Sequence, residues 1–105
     1  MSVLVFVSMT PLGKGESVSK YVSKVVDVID RSGQPYVLTP MGTVIEGKNW
    51  TDVMKVLKKG FERMRKDCPR ISVSIKIDYR KGKVGRISTK TRSIERRLRR
   101  KLRTS

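Results

Sequence analysis

The sequence predicts an α+β sandwich, and three observations carry that expectation. The first run of the chain, Val3 to Ser8, is β-branched and aromatic, while Ile71 to Asp78 alternates strictly between apolar and polar residues. Two stretches between them carry apolar stripes at helical spacing, and Pro and Gly punctuate the boundaries. At 105 residues there is room for one core and not for two.

The first strand has apolar residues in both alternation sets, Val3/Val5/Val7 and Leu4/Phe6, as a central strand covered on both faces does. After a Pro-Gly loop, Ser17 is placed to cap a helix whose stripe is Val18, Tyr21, Val22, Val25, Val28 and Ile29. Gly33 supplies a left-handed stop and Pro35 blocks continuation. Tyr36–Thr39 and Thr43–Glu46 read as two short strands around Pro40-Met41-Gly42.

Asn49, with Asp52 three positions on, resembles a capping box for a second helix. Its stripe is Trp50, Val53, Met54, Leu57, Phe61 and Met64, with Gly60 on the same side. A glycine inside a helix costs about 1 kcal/mol against alanine, so Gly60 marks close packing on a neighbouring backbone. Cys68-Pro69 ends that helix, and the alternating Ile71–Asp78 strand follows. Lys81-Gly82-Lys83 is a turn, and Ser93 is placed to cap a last helix with Ile94, Leu98 and Leu102 on one side.

The order βαββαβ, with a short basic C-terminal helix, predicts a ferredoxin-like sandwich: two helices on one face of a four-stranded antiparallel sheet. Residues 1–90 form that domain and residues 91–105 a basic helix or tail. Both alternation sets of the first strand are apolar, so the uncovered sheet face is expected to meet another subunit in a closed homo-oligomer.

Composition narrows function. The chain has 25 Lys+Arg against 9 Asp+Glu, a formal charge of +16. Ten of those cations and one acid lie between Lys83 and Ser105, so +9 of the +16 sits in the last quarter. Nucleic-acid binding is therefore expected to be a property of that tail, non-specific and salt-sensitive. With no histidine and one cysteine, the usual general base, an internal disulfide and a zinc site are all disfavoured. Neither a metal, a cofactor nor catalysis is expected. No apolar run approaches the ~18 residues of a membrane span, and the N-terminus reads as a strand rather than a basic leader, so a cytoplasmic protein is expected.

Two Pro-Gly stretches with small hydroxyls stand out: Ser8-Met9-Thr10-Pro11-Leu12-Gly13-Lys14-Gly15-Glu16-Ser17 and Thr39-Pro40-Met41-Gly42-Thr43-Val44-Ile45-Glu46-Gly47. The first is not a phosphate loop, because its glycine spacing is wrong and no Ser or Thr follows Lys14 directly. Neither stretch pairs a nucleophile with a base. The polar set Ser72, Ser74 and Lys76 of the last strand is expected to floor a pocket on the open sheet face, completed by Ser8, Thr10, Thr39 and Thr43. Glu46 beside Trp50 suits an aminated heteroaromatic ligand, the acid accepting an N–H while the ring stacks. Plain core packing of Trp50 and a surface ion pair of Glu46 stand against that reading. The last strand offers no aromatic before Tyr79, against an RNA-recognition sheet.

With both motifs in view, the chain closely resembles the thiamine-binding-protein-like family, related to the YkoF thiamine-binding domains. The resemblance runs over roughly residues 3 to 80 and includes Asn49-Trp50 and Ile75-Lys76-Ile77-Asp78. It implies a ferredoxin-like fold, pairing of sheets between subunits, a homotetramer built as a dimer of dimers, and binding of thiamine or its hydroxymethylpyrimidine moiety without catalysis. The motif positions carried over are Ser8, Thr10, Thr39, Gly42, Thr43 and Glu46, with Trp50 as a stacking wall. Hydroxyls would meet the pyrimidine edge, and Glu46 would accept from its amino group or offset the thiazolium. The alternative is a basic nucleic-acid- or anion-binding protein that works through its C-terminal tail, which the resemblance does not explain.

Overall fold

Strand pairing follows from where the apolar runs fall. In the computed structural model, which describes residues 2–82 and 85–104, the longest strands are β1 (Ser2–Pro11) and β4 (Ile71–Arg80), and they pair antiparallel along their whole length, from Ser2↔Arg80 to Pro11↔Ile71. On its other edge β1 pairs antiparallel with β3 (Gly42–Gly47), which also takes β2 (Tyr36–Thr39). The sheet order is β2-β3-β1-β4, so the doubly apolar β1 is a central strand. With α1 (Ser19–Arg31), α2 (Trp50–Arg65) and a C-terminal α3 (Arg86–Leu98), this is the ferredoxin-like βαββαβ order plus a third helix.

One face of the sheet carries the core. Val3, Val5, Val7 and Met9 of β1 and Ile45 of β3 are buried against Val25 and Ile29 of α1 and Val53, Val56, Leu57 and Met64 of α2. Burial of such side chains is worth roughly 1.5–3 kcal/mol each. Gly60 sits where the helices meet, and a Cβ there would stand 3.1 Å from Val25 Cγ1. The close approach is thus made by a side chain of α1, and not by the neighbouring backbone expected from the sequence. Val56 is buried although it lay outside the expected stripe, and Trp50, expected within it, is 51% exposed. Trp50 is the first residue of α2.

The helix starts hold two surprises and one match. Asn49 accepts from the Asp52 N–H at 2.8 Å and donates to its carboxylate at 3.0 Å, as the capping pattern predicts. α1 starts after Val18 with no side-chain cap, so Ser17 does not cap it. The last helix begins at Arg86, seven residues before Ser93, and Gly85 precedes it in the left-handed conformation. Its cap comes from another strand, as described below, which a search for local capping residues misses. The residue 90/91 boundary drawn on composition falls inside this helix, and Leu102 lies beyond its end. Of the expected Lys81-Gly82-Lys83 turn, Lys83 lies outside the described residues.

The second sheet face is not wholly bare, because α3 docks at its Ser2/Glu46 end. Helix cover on the core face is also incomplete. Val73 and Ile75 of the edge strand β4 share that face but stay 40% and 45% exposed. Among the described residues, no helix is long and apolar enough to cross a membrane.

Candidate functional site

β1 and β3 part company beyond Val7↔Thr43, the last pair of their ladder. Past that point Ser8, Met9 and Thr10 pair only with β4, while Pro40 and Met41 form the turn that joins β2 to β3. The splay opens a cavity of about 340 Å³, roofed by Val18 and by Val22, Val25, Val26 and Ile29 of α1. Ser8, Thr10, Thr39, Gly42 and Thr43 line it together. These are five of the seven residues singled out in the sequence, drawn from both Pro-Gly motifs.

The five play different physical parts. Thr39 Oγ1 donates to the Gly42 carbonyl at 2.7 Å and accepts from the N–H groups of Met41 and Gly42 at 3.3 and 3.2 Å. Its hydroxyl therefore shapes the turn, as Ser and Thr side chains do when they bond nearby backbone. Gly42 lets that turn close on β1: a Cβ there would stand 2.6 Å from Phe6 Cζ and 2.8 Å from the Val7 carbonyl oxygen. Thr43 is buried on the core face, opposite Val7. Ser8 and Thr10 alternate with the buried Val7 and Met9, so they border the cavity from the other sheet face. Among the described residues, the hydroxyls of Ser8, Thr10 and Thr43 have no hydrogen-bond partner.

The location differs from that expected. Ser72, Ser74 and Lys76 are exposed on the open sheet face and do not line this cavity, which lies where the strands splay under α1. The α1 stripe read as core in the sequence also supplies the roof. An apolar residue bordering a cavity and one filling a core leave the same periodic pattern, so periodicity cannot separate them.

Glu46 and Trp50 lie elsewhere. Glu46 is four residues along β3 from Gly42, about 13 Å for an extended strand. Its carboxylate, on a residue only 7% exposed, receives the Arg86 N–H at 2.9 Å, the Ile87 N–H at 3.1 Å and the Ser2 hydroxyl at 2.7 Å. It thus caps α3, pairing a carboxylate with the positive end of the helix dipole. Burial pushes the Glu46 carboxyl up, but the donations from Arg86, Ser2, Ile87 and Gly85 together hold it below the ordinary value of 4.5. Trp50 is exposed at the start of α2 and does not line the 340 Å³ cavity.

Arg86 completes this second cluster, and nothing in the sequence analysis singled it out. Its side chain, 5% exposed, pairs with Asp78 at 2.9 Å and donates to the Ser2 hydroxyl and carbonyl at 3.1 Å each, and to the Asp78 carbonyl. Lys90 adds a second ion pair to Asp78 at 3.1 Å. Hydrogen bonds from Lys90 and then Arg86 hold the Asp78 carboxyl below its ordinary value. The available signal was Gly85, a residue accepted at helix N-caps, directly before an arginine among many.

Comparison with known proteins agrees with this fold. The family described as thiamine-binding protein matches residues 5–95. The UPF0045 protein Mb1933 of Mycobacterium bovis is 42% identical over 98 residues, covering 93% of this chain and 96% of its own length. The UPF0045 protein MJ1052 of Methanocaldococcus jannaschii is 39% identical over 92 residues, 88% of this chain and 91% of its own. A crystal structure of MJ1052 superposes with a TM-score of 0.81, covering 89% of this chain and 95% of that one. At 19% identity, and so for the fold alone, the structure of a putative thiamine biosynthesis/salvage protein from Thermotoga maritima superposes with a TM-score of 0.73, over 94% and 97% of the two chains.

Proposed function

Because this chain belongs to the thiamine-binding protein family, we propose that it binds thiamine or its hydroxymethylpyrimidine moiety, without catalysis, in the cavity at the β1–β3 splay. The observation that carries the reading is the gathering of Ser8, Thr10, Thr39, Gly42 and Thr43 around that one space. The volume lies at the small end of the ~300–1,000 Å³ of ligand clefts, which suits one substituted ring. An apolar roof with hydroxyls of Ser8, Thr10 and Thr43 left to pair is the surface an aminopyrimidine requires: apolar contact for its faces, polar partners for its edge.

Charge decides which part of the ligand is recognised. Among the described residues no acidic side chain lines the cavity, and the carboxylate of Glu46 is committed to α3. A thiazolium cation gains nothing there and is opposed by a chain of +16. Recognition therefore rests on the neutral pyrimidine, with the thiazolium directed outward.

The same reading includes a cytoplasmic homo-oligomer, a tetramer assembled as a dimer of dimers. A ten-residue edge strand with exposed Val73 and Ile75 is a surface that another copy would cover.

Isothermal titration with thiamine and with hydroxymethylpyrimidine alone tests the proposal. Micromolar binding of both, weakened in Thr10→Val and in Ser8→Ala, supports it. An intact protein that gives no heat with either ligand overturns it.

A further inference from the structure

The proposed cavity makes no use of the cations on α3 and beyond. Between Gly85 and Thr104 there are nine Lys/Arg and one acid, Glu95. Arg86 and Lys90 are held by Asp78. Among the described residues, the other seven have no carboxylate within ion-pair distance.

Glu95 is spent on shaping this region. Its carboxylate accepts the backbone N–H of Leu102 at 2.7 Å, drawing the chain back after the helix. Arg99 takes the left-handed conformation, with φ of 58°, and the N–H groups of Arg99 and Arg100 bond the carbonyls of Arg96 and Glu95. This turn brings Arg99, Arg100 and Lys101 beside Arg92 and Arg96, around a shallow groove of about 680 Å³ that Glu95 also lines, so five cations there face one acid.

We propose that this groove is a sequence-independent binding surface for the phosphate backbone of a nucleic-acid duplex. Four of its five cations are arginines, whose planar forks match phosphate oxygens two at a time. A chain turn fixed by Glu95 presents them together, so binding does not have to gather them from a loose tail. Residues 85–104 contain no aromatic, so there is no platform on which unpaired bases would stack. Duplex, with its higher charge density, is favoured over single strands.

A membrane surface fits less well. At 100° per residue, Arg92 and Arg96 lie on the side of α3 opposite Ile87, Ile94 and Leu98. A bilayer that received the apolar stripe would hold those two arginines away from its headgroups.

The test is fluorescence anisotropy of the full chain with a labelled 20-base-pair duplex of arbitrary sequence, titrated at 50–200 mM salt. Five phosphate contacts give a slope of log affinity on log salt of about −4.5, or roughly a 500-fold loss over that range. Arg96→Ala/Arg100→Ala, both exposed, should leave the melting temperature unchanged and flatten the slope to about −2.7. An unchanged slope in that variant overturns the assignment, as does an absence of binding by the parent. Equal affinity for a single strand of the same length overturns the duplex preference and with it the proposal. So does tighter binding to phosphatidylserine vesicles, which would make the surface a membrane one.

Discussion

Gly42 shows how a single missing side chain positions the candidate site. The Val7 carbonyl cannot move aside as a flexible side chain can, so Gly42→Ala forces β3 away from β1 at the mouth of the cavity. We expect a loss of about 1–3 kcal/mol in a thermal melt, in line with overpacking elsewhere. Replacing Phe6 by Leu in the same variant should recover only part of it, since the carbonyl clash remains. At Ser8 and Thr10 the expected effect is on affinity and not on stability, because among the described residues neither hydroxyl has a hydrogen-bond partner. Thr10→Val should weaken hydroxymethylpyrimidine binding by about tenfold, the worth of one hydrogen bond, with an unchanged melting temperature.

Among the elements, α3 is held at its start by polar chemistry and along its length by little else. Ile94 and Leu98 remain 54% and 45% exposed. The Glu46 carboxylate and the Arg86 guanidinium are buried together, and each satisfies donors or acceptors that would otherwise be stranded. Glu46→Gln keeps the shape but sets an amide N–H₂ against one of the two backbone donors, the N–H of Arg86 or of Ile87. About 1–3 kcal/mol of α3 docking should be lost, read as faster amide exchange in residues 86–98 with the β1 core unaffected. Acid should act in the same direction. The folded-state value of Glu46 lies below that of an unfolded glutamate, as does that of Asp78 for an aspartate. Their contribution is thus complete above the unfolded values and fades as pH falls through the folded ones. As pH falls through the folded-state values, protection of the α3 amides, corrected for the intrinsic exchange rate, should drop in the parent, and this drop should be smaller in Glu46→Gln. An acid response of full size in that variant would place the titrating group elsewhere.

At the scale of the whole molecule, the field of +16 acts on both proposed partners with opposite sign. It attracts a duplex and repels a thiazolium. Salt should therefore weaken duplex binding while raising the affinity for thiamine relative to uncharged hydroxymethylpyrimidine. A thiamine-to-pyrimidine ratio that falls with salt would require an acid at the site. Light scattering should give about four times the 12.0 kDa chain mass. Val73→Lys/Ile75→Lys on the exposed stretch of β4 should reduce that mass; an unchanged tetramer would move the interface to another surface.

Sequence alone determined the parts of this protein that repeat at a fixed period or rest on neighbours in the chain. The alternation of Ile71–Asp78, the doubly apolar Val3–Val7, the α1 stripe and the Asn49–Asp52 cap are local patterns, and they sufficed for the ferredoxin-like order. They also brought Ser8, Thr10, Thr39 and Thr43 forward from the two Pro-Gly motifs, but with Ser72, Ser74 and Lys76 as a floor that the cavity does not use; Gly42 came from the family resemblance, together with Glu46, which lies elsewhere. Only the tertiary structure decided what joins across distance. Glu46 caps a helix forty residues later, Arg86 reaches Ser2 eighty-four residues away, and the last helix starts seven residues before its expected cap. No local propensity records those contacts, since a carboxylate on a strand has the same one-dimensional context whether it meets a ligand or a helix end. The physical reason is burial: once the sheet closed beneath α3, Glu46 and Arg86 had to be paired, and the nearest donors and acceptors were supplied by the fold.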